Sequence, residues 1–298
     1  MVSVVARSVL RMRYGFVVPY ADAREFAELA ALGEQVGWDA VFTWESLYGE
    51  HAWVTLAAAA VQTSRIRLGT LLTPASRHRP WDLASMVSTV DRLSGGRVVM
   101  SVGLGALHPG WTRFEPDEGR AVRARKLDES LAVYRGLLSG EPFTFEGVHY
   151  PVGPEGEGAP SLPPPPTQRP HPPVWVVGVH LPGRHGQPSL ERAARWQGVL
   201  PTVAVPGAQP GSPHLTLESV DEALGVLRRL REDAGLPWDG YDVVIEGDST
   251  GEFVKSDGTP EQWAGLGATW WIESWWTIPP GVEGLAELRR RIEAGPPR

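Results

Sequence analysis

Chemistry in this chain must come from a short set of side chains. The 298 residues include no cysteine, which removes a thiolate nucleophile, a disulfide framework and a thiolate metal site. The only lysines are Lys126 and Lys255, and neither falls on a stretch that reads as a strand, which argues against a Schiff base. No G-x-S-x-G occurs, so a serine nucleophile would lack its strained turn. His180 and His185 stand five apart in a Gly-rich loop, and no pair of histidines has ligand spacing on one strand, so the pattern disfavours a metal centre. An organic cofactor is the remaining source of difficult chemistry. It is not held in the Rossmann manner, because no G-x-G-x-x-G opens a helix after the first strand.

The polar residues that remain stand where apolar runs end. They are Glu45 and Ser46; Thr70, Thr73, Ser76, Arg77 and His78; Gly103, Gly105 and His108; His180, Arg184 and His185; Asp248 and Ser249; Glu273 and Ser274. Glu45 is a candidate catalytic or ring-contacting group, the alternative being a pair with a loop arginine. His108 is a candidate proton donor, since imidazole ionises in the useful range; otherwise it is a solvated loop residue beside Pro109. His78, between Arg77 and Arg79, reads as a surface loop residue, the alternative being that the three basic groups meet an anionic tail. Gly103-Leu104-Gly105 is either a tight strand exit or a place where backbone approaches a ligand. Trp44, Trp81, Trp270 and Trp271 could wall a planar group, but Trp270 and Trp271 alternate, so at most one of them faces a barrel interior.

The elements that must position these residues follow from alternation. Short apolar runs at 13–19, 39–44, 66–73, 97–105, 174–178, 198–202, 241–247 and 268–274 read as strands. Between them lie stretches with helical spacing, such as Phe26, Leu29, Leu32 and Val36 between a capping Asp22 and a terminating Gly37. Eight such units predict parallel strands with helical crossovers, and favour a closed (β/α)8 TIM barrel over an open sheet. In a barrel the chemistry sits at the C-terminal strand ends, where these polar residues stand. Residues 143–151 are expected to form a small hairpin. Residues 151–173 hold ten prolines and read as an insertion, either a lid or a harmless excursion, within one domain spanning 1–298.

Composition narrows the partners. Hydrophobic residues make up 42% and the net charge is −7, an ordinary globular balance with no basic field for nucleic acid. The first 20 residues break their apolar runs with Arg7, Arg11 and Arg13, and no stretch has the length of a membrane span. A small-molecule substrate and a cytoplasmic setting are the expectations.

Together, 63–105 (TSRIRLGTLLTPASRHRPWDLASMVSTVDRLSGGRVVMSVGLG), GWDAVFTWES at 37–46, 124–152, 170–178, RAARWQGVLP at 192–201 and GATWWIES at 267–274 resemble the bacterial luciferase-like monooxygenase superfamily. The combined pattern LGT-x-x-TP…R-x-RP…LSGGR…G-x-G carries the resemblance, which spans essentially the whole chain. It implies a TIM barrel with FMN or coenzyme F420 at its mouth. It places Thr70, Leu71, Leu72 and Thr73 on a third-strand bulge, often with a non-prolyl cis bond, that supports the ring. It brings Gly103 and Gly105 to the ring or its side chain, and assigns the phosphate to the loop from Gly178 through Ser189, with Arg184 and Ser189 as candidates. Where many relatives have Asp-His after strand two, this chain has Glu45-Ser46. The resemblance implies an oxidoreductase with Glu45 and His108 as catalytic candidates and Ser46 at the ring. F420-dependent hydride transfer is preferred, with a reduced-FMN, oxygen-dependent monooxygenase as the alternative and a flavin binder without turnover as the second. Relatives often form homodimers through helices beside the early strands.

Overall fold

The computed structural model describes residues 11–106, 110–154, 164–204, 215–252 and 256–297. Eight parallel strands close into a barrel in chain order: β1 (Arg13–Val17), β2 (Ala40–Thr43), β3 (Arg67–Pro74), β4 (Val98–Gly103), β5 (Val174–His180), β6 (Gly198–Val203), β7 (Asp242–Gly247) and β8 (Trp270–Ser274). Each is followed by a helix: α1 (Ala23–Val36), α2 (Ala52–Gln62), α3 (Pro80–Ser94), α4 (Arg120–Leu138), α5 (Pro188–Ala193), α6 (Leu217–Asp233), α7 (Pro260–Leu266) and α8 (Val282–Glu293). The alternation in the sequence predicts this α/β barrel. Asp22 and Glu25 form a capping box at the start of α1, and Gly37 ends it in the left-handed region.

Two cores hold the layers. The barrel interior is filled by Val17, Phe42, Val99, Trp175, Val244, Trp270 and their neighbours, and a larger cluster packs between strands and helices. Glycines make room for the inner rings. A Cβ on Gly69 would stand 2.6 Å from Phe42 Cε1, and one on Gly198 would stand 2.5 Å from Trp175 Cδ1. Strand parity divides the tryptophan pair as expected, Trp270 inward and Trp271 toward the helices.

The N-terminal end of the barrel is sealed by polar groups. Arg13 lies over the Trp270 ring at 4.3 Å and donates to Asp242 Oδ1 at 2.5 Å, while Trp175 Nε1 donates to Asp242 Oδ2 at 3.1 Å. The LSGGR run has a structural reason. Arg97 is buried and donates to the carbonyls of Ser94, Ile66, Ala60 and Thr63 and to Thr63 Oγ1, so one guanidinium satisfies the end of α2 and the approach to β3.

The expected hairpin at 143–151 is reduced to one antiparallel bridge, Phe145 with Val152. Glu129, on α4, explains why: its carboxylate accepts from the amides of Val148, His149 and Tyr150, which a partner strand would otherwise need. The centre of the Pro-rich insertion lies outside the described residues. Its flanks are tied down, Tyr150 Oη to the Ser76 carbonyl at 3.4 Å and Gln168 to Asp91 at 2.7 and 2.9 Å.

A second carboxylate organises the turn into β3. Glu34 accepts from the amides of Ser64, Arg65 and Ile66 and from the Ser64 hydroxyl. Partial burial works to raise its pKa, but these hydrogen bonds outweigh burial and hold it down at about 2. A carboxyl depressed by folding adds stability above its unfolded pKa of about 4.3 and loses it as pH falls toward the folded value. Glu34→Gln is therefore expected to unfold at lower urea than the parent at pH 7. The gap should close progressively as the titration is repeated from pH 4.5 downward; a gap independent of pH would contradict this account.

Candidate active site at the barrel mouth

The tip of β3 is irregular. Its pairing with β4 shifts register between Thr70 and Thr73, and the Leu71–Leu72 peptide is cis. Leu71 joins the inner core, while Leu72 is half-buried at the mouth. Thr70 and Thr73 are fully buried and their hydroxyls are 2.9 Å apart.

Thr73 Oγ1 also donates to Glu45 Oε1 at 2.7 Å. A hydroxyl has one proton, so the Thr70 hydroxyl supplies the bond between the two threonines. Trp53 Nε1, on α2, donates to the same Glu45 oxygen at 2.9 Å, and His78 Nε2 lies 2.6 Å from Glu45 Oε2. Glu45 is thus an oriented carboxylate with partners from β3, α2 and the turn after β3, its side chain only 8% exposed.

His78 corrects the sequence reading. It is no surface loop residue: its side chain is 19% exposed and it fills the place expected for a loop arginine. Arg77 instead donates to the Ser46 and Leu47 carbonyls at 3.5 and 3.2 Å and lies 5.2 Å from the Trp111 ring centroid. Ser46 enters this contact through its backbone. The signal for His78 was adjacency: the ends of β2 and β3 are neighbours in a barrel, so residues a few positions beyond each must meet.

Across the mouth, Gly103 shares the inward face of β4 with Val99 and Ser101. A Cβ there would meet Leu72 Cδ2 at 3.0 Å and Val177 Cγ2 at 3.3 Å, so glycine lets these two apolar side chains close over this part of the strand. The Ser101 hydroxyl, fully buried on the same face, has no hydrogen-bond partner among the described residues. Gly105 adopts φ of +74° and lies under Trp111, whose ring would be 2.6 Å from a Cβ. Arg123 donates to the Leu104 and Gly105 carbonyls at 3.2 Å and fixes this strand exit. His108 lies outside the described residues.

On the β5 side, Gly178 lies within the strand and faces α5; a Cβ would stand 2.7 Å from Val199 and 3.0 Å from Leu190. Ser189 donates to the Val177 carbonyl at 3.0 Å and accepts from the Val179 amide at 3.1 Å, bracing the strand end. Gln187 knits the loop by accepting from the Leu181 amide and donating to the Leu181 and Arg184 carbonyls. That leaves the side chains of Arg184 and His185 exposed on a braced loop.

Two carboxylates of β7 and β8 divide by strand parity. Glu246 shares the inward face of Val244 and accepts from Ser274 Oγ at 3.2 Å and Trp276 Nε1 at 3.3 Å. Sequence reasoning passed over Glu246, although its spacing from Val244 marked that face. Glu273 faces the helices, where Trp271 and the Ser249 amide donate to it, and burial pushes its carboxyl upward. Trp44 and Trp276 meet edge to face at 6.4 Å and add an aromatic rim, whereas Trp81 stands on α3 beneath Arg79. Among the described residues no cluster of His, Asp or Glu could hold a metal ion.

This geometry predicts what one hydroxyl contributes. Thr73→Val keeps the side-chain shape but leaves Glu45 Oε1 with Trp53 alone. Because a hydrogen bond to a charged group contributes about 1.5–3 kcal/mol, a loss of stability in that range is expected from urea unfolding with unchanged m value.

A family model described as luciferase-like monooxygenase matches residues 5–195, more than half of the chain. Over 155 residues the chain is 34% identical to the F420-dependent glucose-6-phosphate dehydrogenase of Microbacterium testaceum; the match takes in 48% of this chain and 45% of that protein. The chain therefore spans about half the length of the curated relative it matches. Among solved structures, monooxygenase RslO1 from Streptomyces bottropensis gives a TM-score of 0.69 at 24% identity, covering 95% of this chain and 98% of its own. An F420-dependent secondary alcohol dehydrogenase, in complex with an F420-acetone adduct, gives 0.68 at 15% identity over 95% and 99%. At these identities the structural likeness is one of fold. With the family model matched across most of the barrel, the chain belongs to the luciferase-like monooxygenase family.

Proposed function

We propose that this protein is an oxidoreductase that holds coenzyme F420 in the barrel mouth and transfers hydride to or from a small organic substrate. The observation that carries the reading is the β3 tip, where a bulge is braced from behind by Thr70, Thr73 and Glu45 and packs over Gly103 of β4. Half-buried Leu72 and Val177 present apolar side chains at this end of the barrel, which suit contact with one face of a planar ring. The unpartnered Ser101 hydroxyl supplies a polar contact in the same wall. Arg184, exposed on a loop braced by Gln187, is the cation for an anionic tail, and Ser189 sets that loop against β5. When bound, the deazaflavin supplies the hydride acceptor or donor; the chain orients it and excludes water from the apolar wall. The F420-dependent relative supports this cofactor. The resemblance to RslO1 favours a second reading, a reduced-FMN-dependent monooxygenase. A cytoplasmic setting fits a cysteine-free chain, and among the described residues no helix is long and apolar enough to cross a membrane.

The test is a parallel fluorescence titration of the purified protein with F420 and with FMN. F420 is expected to bind more tightly, and Arg184→Ala is expected to weaken it about tenfold, the lower bound for losing a charge-assisted hydrogen bond. Preference for FMN selects the second reading, and binding of neither cofactor overturns both.

We further infer a homodimer. Val54 and Val61, two turns apart on α2, are 62% and 67% exposed, with half-buried Ala57 and Ala58 between them on the outer face. Light scattering is expected to give a dimer for the parent and a folded monomer for the double variant Val54→Glu, Val61→Glu.

A further inference from the structure

We propose that His78, oriented by Glu45, is the residue that exchanges protons with the ligand in the mouth. The inference rests on the oxidoreductase reading and adds to it a catalytic residue and its positioning partner. The fold enforces the pair: β2 and β3 are adjacent, Glu45 follows one and His78 follows the turn after the other. Glu45 Oε1 is filled by Thr73 and Trp53, leaving Oε2 for the imidazole at 2.6 Å.

A carboxylate only accepts, so the shared proton belongs to Nε2 of His78. With Nε2 committed, Nδ1 is the nitrogen that can gain or lose a proton without breaking the pair. Nδ1 makes no hydrogen bond among the described residues. The side chain is 19% exposed, accessible to a ligand yet shielded from bulk water. The charged neighbours are engaged elsewhere. Arg77 clamps the Ser46 and Leu47 carbonyls, and Arg79 stands 5.7 Å from the Trp81 ring centroid. Among the described residues Glu45 is the carboxylate paired with the imidazole, and the phenol of Tyr150 is turned to the Ser76 carbonyl.

The proton balance is simple. A bound deazaflavin would supply the hydride partner; an alcohol that becomes a carbonyl must also release its hydroxyl proton, and Nδ1 of His78 is the group that takes it. In the opposite direction the carbonyl oxygen takes its proton from Nδ1–H as hydride arrives at carbon. Ser46 cannot serve in this way, because a serine hydroxyl does not ionise in this range.

The experiment uses the full chain labelled with 15N-histidine, with His78→Gln assigning the resonances and F420 and FMN as probes. Long-range 15N–1H spectra of the free protein at high pH are expected to show neutral His78 protonated at Nε2 alone, and Glu45→Gln is expected to give a mixture of tautomers. A saturating cofactor is expected to shift the His78 ring signals. The pH dependence of the cofactor Kd is expected to differ between the parent and His78→Gln, with Kd at high pH within about twofold, since an uncharged ring adds little affinity. Cofactor binding with unmoved His78 signals and superimposable pH profiles would overturn the proposal while leaving the oxidoreductase reading intact. Binding of neither cofactor would overturn that reading, and this assignment with it.

Discussion

The carboxylate of Glu45 is the contact on which the mouth of this barrel depends. A buried carboxylate must be met by donors, because desolvation without them costs several kcal/mol. Here the donors come from three places: the bulged tip of β3 through Thr73, helix α2 through Trp53, and the turn after β3 through His78. Each fixes a feature the site requires. Thr73 and Thr70 hold the register shift, Trp53 sets the helix behind it, and His78 is kept in one orientation. Arg77 then closes the loop that carries Glu45 by taking its carbonyls.

The opposite end of the barrel explains why chemistry is confined to this one. Arg13, Asp242 and Trp175 fill the N-terminal opening with paired polar groups, and the rings of Phe42, Trp175 and Trp270 fill the middle. Such a core is dense because glycines stand where the rings need volume. Among the described residues, unpartnered polarity on the inner face lies toward the C-terminal strand ends, at Ser101.

Regularity made the fold legible. Continuous apolar strands, helical spacing and caps such as Asp22 and Gly37 are local signals, and eight repeats of them point to closure. Strand parity was equally legible for Trp270 and Trp271. The site was legible only as a set of strand ends. His78 lies in a run of basic residues that resembles a solvated turn, and its partner is 33 positions away, so only the barrel's strand order joins them. The hairpin at 143–151 failed for the related reason that a side chain on α4, Glu129, captures the amides an isolated pair of strands would share. Long-range side-chain contacts carry no periodicity, and no pattern in a local window records them.

Membership in a family fixes scaffold more tightly than it fixes the placement of reactive groups. The barrel constrains which strand ends are neighbours, yet any residue within reach of the mouth can present a given functional group. The resemblance leads one to expect Asp-His after the second strand, where this chain has Glu45-Ser46, and position alone would count an imidazole lost. The geometry shows one a few ångströms away, brought from the next strand and held by the very glutamate that marks the departure. Parallel strands whose ends converge on one rim permit such a pairing: side chains from successive loops share the same space, so a carboxylate after one strand can meet an imidazole after the next.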